Sequence, residues 1–190
     1  MKKAFSLLLI FSLLFLSACK KDGLSPEEKA EELKALYASS SQISFTADIT
    51  ADYGTYVALF SLTYEGSESI GTAVITAPES IAGLTVTYAS GGTEASYDGA
   101  ELYMGELSSD GLSPVDSIPA MLAAWKNGFV SQCVYESLDS CDTIAISTSI
   151  TEESTMTTWF SLETSFPVRT EIANGEKVVI TAYFQEVLLT

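Results

Sequence analysis

The sequence predicts an α+β protein that is mainly antiparallel β: one curved sheet of about eleven strands, with an N-terminal helix and a central helix covering its concave face. Three observations predict it. Apolar residues alternate with small polar ones in many short runs, as where Ile43, Phe45, Ala47 and Ile49 interleave with Ser44, Thr46, Asp48 and Thr50. That period of two marks a strand with one buried face. Tight-turn residues such as Asp98-Gly99 and Asn174-Gly175 separate the runs, and these pairs favour two-residue hairpins. Only two stretches carry helical spacing.

The first helix starts at Ser25-Pro26-Glu27-Glu28. Ser25 is placed to cap, Pro26 suits the first turn and Glu28 holds the capping-box position. Ala30, Leu33, Leu36 and Tyr37 then share one apolar stripe, and the helix is expected to end near Ser39. The strand at 43–50 turns at Asp52-Tyr53-Gly54 into a second, where Tyr56, Ala58, Phe60, Leu62 and Tyr64 alternate, before a turn at Glu65-Gly66-Ser67. Strands are expected at 70–77, 84–88, 93–97 and 100–104. Ser113-Pro114 is expected to start a turn, and the second helix to begin at Ile118-Pro119, with Ile118, Met121, Leu122 and Trp125 on one face and Gly128 as its stop. Strands resume at 129–135, 143–150, 155–164, 168–173 and 177–188. Two helices are the only cover for the apolar face of so large a sheet. A sheet curved over them encloses an apolar hollow unless side chains fill it.

The N-terminus carries an address. Lys2 and Lys3 precede an apolar run at 4–16, and Leu16-Ser17-Ala18-Cys19 closes it. A basic start, a short apolar core and small residues before the cut mark a secretory signal. The apolar run is well short of the ~20 residues that cross a bilayer. With cysteine at the cut site the stretch resembles a lipobox, the motif of the lipoprotein signal peptidase. That resemblance makes residues 1–18 a signal peptide, Cys19 the acylated first residue (thiol and amine), 19–24 a tether and 25–190 one domain. The protein is then expected on the extracytoplasmic side of the cell membrane, held by its acyl chains, and otherwise monomeric.

Charge and chemistry exclude more than they assign. The chain holds 9 basic and 25 acidic residues and no histidine, for a formal charge of −16. Such a surface repels phosphate backbones, so nucleic acid is excluded as a partner. Without histidine the commonest general base and metal ligand are missing, and neither a phosphate loop nor zinc spacing occurs. The adjacent acids Glu27-Glu28 and Glu152-Glu153 suit a helix start and the two faces of a strand. No catalytic residue, metal ligand or cofactor is expected. Cys133 and Cys141 flank 134–140, which reads as a hairpin tip. Outside the cytoplasm an even pair suits a disulfide, and two free thiols are the alternative. Large apolar side chains are the remaining functional candidates: Phe45, Phe60, Met104, Ile118, Met121, Leu122, Trp125 and Trp159 either line the hollow or form ordinary core.

Three local matches then resemble a family. They are Ala77-Pro78-Glu79-Ser80-Ile81-Ala82-Gly83-Leu84, then Tyr97-Asp98-Gly99-Ala100-Glu101-Leu102-Tyr103, and Gly111-Leu112-Ser113-Pro114 followed by Ile118-Pro119-Ala120-Met121-Leu122. With the order of elements over 25–188 they resemble the LolA and LolB lipoprotein-carrier superfamily, and within it the LolA-like lipoproteins of spore-forming Firmicutes. The resemblance implies a half-barrel with an internal helical plug and no catalytic residue. It implies a non-enzymatic lipoprotein that binds an acyl chain, lipid or lipidated partner in an apolar cavity. The alternative it allows is a scaffold lipoprotein that positions an envelope or germination enzyme.

Overall fold

The computed structural model describes residues 23–67 and 70–190. Among these residues two α-helices, α1 (Pro26–Ser39) and α2 (Pro114–Asn127), accompany eleven strands in one antiparallel sheet. These are β1 (Gln42–Asp52), β2 (Val57–Ser67), β3 (Ile70–Ala77), β4 (Thr85–Ala89), β5 (Gly92–Tyr97), β6 (Ala100–Gly105), β7 (Val130–Leu138), β8 (Cys141–Ser149), β9 (Ser154–Ser161), β10 (Pro167–Asn174) and β11 (Lys177–Leu189). Their spatial order is β6-β5-β4-β3-β2-β1-β11-β10-β9-β8-β7. Two meanders are therefore joined where the first strand pairs with the last. After β6 the chain stands at one edge of the sheet, and α2 carries it across the concave face to β7 at the other.

Helix α1 begins as its residues dictate. The Ser25 side chain accepts from the Glu28 amide at 3.2 Å, and the Glu28 carboxylate accepts from the Ser25 amide at 2.8 Å, a reciprocal capping box. Ala30, Leu33 and Tyr37 are buried, but Leu36, expected on the same stripe, is exposed. Helix α2 begins a turn earlier than expected. Ser113 caps it by accepting from the Asp116 amide, and Pro119 lies inside the helix rather than at its start. A proline there leaves the carbonyl four residues back without its helical donor. That carbonyl belongs to Val115, and the Tyr88 hydroxyl donates to it at 3.1 Å.

The strand alternation sorts the sheet into two faces. Ile43, Phe45, Ala47, Ile49 and Ala51 of β1 are all buried on the concave side, where they meet inward residues of β11 such as Phe184, Ala182 and Ile180. The centre of the concave face is packed with aromatics: Trp125 of α2 lies 5.6 Å from Tyr37, 6.1 Å from Phe160 and 5.3 Å from Phe184, ring centre to ring centre. Its indole donates to Thr158 at 3.0 Å, and Thr158 shares a hydrogen bond with Thr170, so the polar groups of this dry region are satisfied. On the convex face one row runs Ala145–Trp159–Arg169–Tyr183–Asp48–Ser61 across six strands. Arg169, the only arginine, is stacked between Trp159 at 5.3 Å and Tyr183 at 5.4 Å. It also pairs with Glu171, and the Trp159 indole donates to Glu136.

Cys133 and Cys141 are free thiols, which corrects the disulfide expected between them. The hairpin turns at Asp139-Ser140, both at positive φ, so Leu138 pairs with Cys141 and 134–138 is strand rather than tip. Cys133 pairs with Ile146 instead. Five residues of strand at ~3.3 Å each set the cysteines roughly 17 Å apart along the hairpin, beyond the ~7 Å a disulfide spans. They also point to opposite faces, because Cys133 faces inward opposite Ile146 and Cys141 lies an odd number of residues from it on β8.

Candidate functional site

The hollow is filled at its centre and open at its flanks. Around Trp125, between α1 and the inner faces of β8 and β9, the free space shrinks to about 10 Å³. Real clefts run along the two sides of α2. One of about 550 Å³ lies between α2, the segment after β6 and the end of β8, lined by Leu107, Pro119, Ala120, Ala124, Phe129 and Ile150 among others. Another of about 330 Å³ lies between α2 and the inner faces of β1 to β4, lined by Ile43, Tyr64, Tyr88, Leu122, Ala123 and Lys126 among others. Pro119 and Ala123 wall both. The larger volume falls within the ~300–1,000 Å³ of typical small-ligand sites and the smaller at its lower end.

Small residues make the clefts. Helix α2 presents Pro119, Ala120, Ala123 and Ala124 to them, too short to reach the sheet that Met121 and Trp125 reach from the opposite face. Phe129, just past the helix, stands 76% exposed at the rim of the larger cleft. In the smaller cleft the Tyr64 phenol lies over Gly66 and Gly71, where a Cβ would fall 2.1 Å from its hydroxyl oxygen. Glycine at both positions admits that ring. Burial pushes the Tyr64 phenol up to about 12 and raises those of Tyr37 and Tyr88 as well, so all three stay neutral donors at physiological pH. Burial, and after it the Glu27 carboxylate, push the Cys133 thiol up, which disfavours the reactive thiolate.

The eight residues singled out from the sequence fall into distinct places. Phe45, Ile118, Met121 and Trp125 are all 4% exposed or less and belong to the packed centre. Phe60 is half-buried on the concave face and packs against that centre. Leu122 does line a cleft. Met104 sits 40% exposed on the edge strand β6, and Trp159 is on the convex face beside Arg169, so neither lines a cavity. Cys19 lies outside the described residues. What the sequence reading missed are the alanines of α2, which carry no signal beyond helix propensity, and Tyr64 and Lys126. The isolation of Lys126, the only basic residue between Lys34 and Arg169, was the one visible cue.

An open antiparallel half-barrel, plugged by a helix and flanked by clefts along that helix, defines the class of fold. No protein-family model matches the sequence, and no curated protein matches it. An uncharacterised conserved protein from Thermus thermophilus is similar in structure, with 9% identity, a TM-score of 0.54, and 85% of this chain and 88% of that one covered. A DUF1329 family protein from Desulfovibrio piger is similar at 10% identity and a TM-score of 0.50, over 87% of this chain and 94% of that one. A LolA superfamily protein from Nitrosomonas europaea aligns over 88% of this chain and 94% of its own, at 10% identity and a TM-score of 0.46. At these identities the likeness is one of fold.

Proposed function

We propose that this is a lipid-anchored, extracytoplasmic and non-enzymatic binding protein, which holds an acyl chain in the clefts beside α2. The carrying observation is the 550 Å³ cleft with its wall of small apolar residues, set against a concave centre that is otherwise packed solid. An unbranched chain needs a long, featureless apolar wall, and the Pro119–Ala120–Ala123–Ala124 face supplies one. Absence of histidine from the chain and the lipobox-like Leu16-Ser17-Ala18-Cys19 support the non-catalytic and anchored parts of the reading. Acylation at Cys19 gives the two-signal anchoring that stable membrane attachment requires. Mass spectrometry of detergent-extracted full-length protein is expected to find the chain starting at Cys19 with acyl chains on it, and Cys19→Ala protein is expected to lose them. Native mass spectrometry of protein lacking residues 1–19 is expected to show a co-purified single-chain lipid; a protein that neither carries nor takes up any such lipid rules the acyl site out.

One observation favours a second reading, a scaffold lipoprotein. Edge strand β6 is bare, with Leu102 64% and Tyr103 63% exposed, whereas edge strand β7 is backed by α1 through the Tyr135 hydroxyl bonded to Leu24 and Ser25. An unpaired apolar edge accepts an added strand from a partner. Loss of partner capture on Leu102→Lys, with lipid uptake intact, would establish that reading.

A further inference from the structure

The smaller cleft has polar features that a bare acyl chain does not explain. Of the five described cations, four face a carboxylate: Lys29 with Glu32, Lys34 with Glu31, Arg169 with Glu171 and Lys177 with Asp52. Lys126 is the exception among the described residues, in a chain where acids outnumber bases 25 to 9. Its position in the last turn of α2 suits the helix dipole. The dipole rewards a cation anywhere near that helix end, however, and gives no reason for the side chain to lie along a cleft wall that holds no acid among the described residues.

Tyr64 supplies an independent observation. Six of the nine tyrosines donate their hydroxyl to a backbone carbonyl: Tyr37, Tyr53, Tyr88, Tyr97, Tyr103 and Tyr135. Tyr56 and Tyr183, which do not, are 64% and 41% exposed and meet water. Tyr64 is 5% exposed, lines the same cleft as Lys126, and has no hydrogen-bond partner for its hydroxyl among the described residues. Arg169 Nε is the one fully buried side-chain polar atom without a partner among the described residues, so the Tyr64 hydroxyl is not sealed off: it opens to solvent and is free to donate to whatever fills the cleft that Tyr64 lines. A cation and a free donor over a floor of Ile43 and Leu122 thus share one apolar cleft.

We infer that this cleft takes a single-chain amphiphile with an anionic head, carboxylate or phosphate, whose head is held by the Lys126 ammonium and the Tyr64 hydroxyl. The tail runs along Leu122 and Ala123 and passes Pro119 toward the 550 Å³ cleft, which shares Pro119 and Ala123. Burial keeps Tyr64 protonated, so it donates rather than repels at neutral pH. The inference rests on the acyl reading above and adds the charge of the head.

Calorimetric titration of the protein lacking residues 1–19 with decanoate, decyl phosphate and decanol tests it. Both anions are expected to bind at least about tenfold more tightly than decanol, since a charge-assisted hydrogen bond adds to the same tail. Lys126→Gln is expected to remove that preference and leave decanol binding unchanged, and Lys126→Glu to invert it. Tyr64→Phe is expected to weaken the anions a few-fold, with the melting curve confirming that each variant folds. A preference shown by only one of the anions identifies the head as carboxylate or phosphate. Equal binding of all three ligands, unmoved by Lys126→Gln, overturns the inference and leaves the acyl reading standing. Failure of all three to bind overturns both.

Discussion

The two faces of helix α2 are built to opposite ends. One carries Ile118, Met121 and Trp125, each 4% exposed or less, and fills the concave sheet with large side chains. The other carries Pro119, Ala120, Ala123 and Lys126 and leaves open space along both flanks. Both faces come from the same 14 residues, and side-chain size decides which becomes core and which becomes cavity wall. A helix that is anchored on one side this firmly can leave its other side unpacked without losing its place.

Removing the anchor tests the comparison hardest. Trp125→Ala strips the ring that touches Tyr37, Phe160 and Phe184, and is expected to cost about 3–5 kcal/mol in urea unfolding. A smaller loss means that the centre collapses around the gap or was never tightly packed. On the open side, Gly71→Ala forces a Cβ against the Tyr64 phenol and is expected to cost about 1–3 kcal/mol; displacement of that ring is checked by near-ultraviolet circular dichroism. Tyr88→Phe takes away the hydroxyl that serves the Val115 carbonyl opposite Pro119, and is expected to cost about 1–2 kcal/mol with α2 loosening at its start. Amide exchange in the first turns of α2 reads this directly. Ala123→Leu puts bulk between the two clefts, and is expected to shift stability by less than about 0.5 kcal/mol while blocking acyl binding.

The last test is of pH. The Tyr64 phenol is raised from 10.0 to about 12 in the folded protein, so the fold binds its proton more tightly than the unfolded chain does. Its contribution to stability is complete below pH 10 and is lost as pH climbs from 10 toward 12. Tyr64→Phe is expected to flatten that part of the alkaline unfolding profile, and an unchanged slope would mean that other groups dominate it.

Strand alternation exposed the faces of this sheet but not its neighbours. Ile43 to Thr50 read as half-buried from residue types alone, yet nothing local says that β1 lies beside β11. Pairing of the first and last strands is a long-range outcome, forced by α2 crossing the sheet. The start of α2 was misplaced for a related reason. Pro119 is a good helix starter by local rules, and the hydroxyl that lets it sit inside comes from Tyr88, distant in sequence. The cysteine pair failed on register: Asp139-Ser140 forms the tight turn without glycine, so the hairpin closes directly before Cys141 rather than midway between the thiols. For the site, large residues drew attention and proved to be mostly core. A cavity is made by what is small, and alanine on a helix looks the same whether it faces water, a neighbour or empty space.

One consequence of the two-faced sheet is optical. The chain has two tryptophans, and the sheet separates them. Trp125 is sealed in the apolar plug at 4% exposure, with its indole bound to Thr158. Trp159 lies on the convex side beside the Arg169 cation and the Glu136 carboxylate. Their emission therefore resolves into a blue component from the inside and a red, quencher-accessible one from the outside. The protein carries its own pair of probes, one for what enters beside α2 and one for what settles on its back.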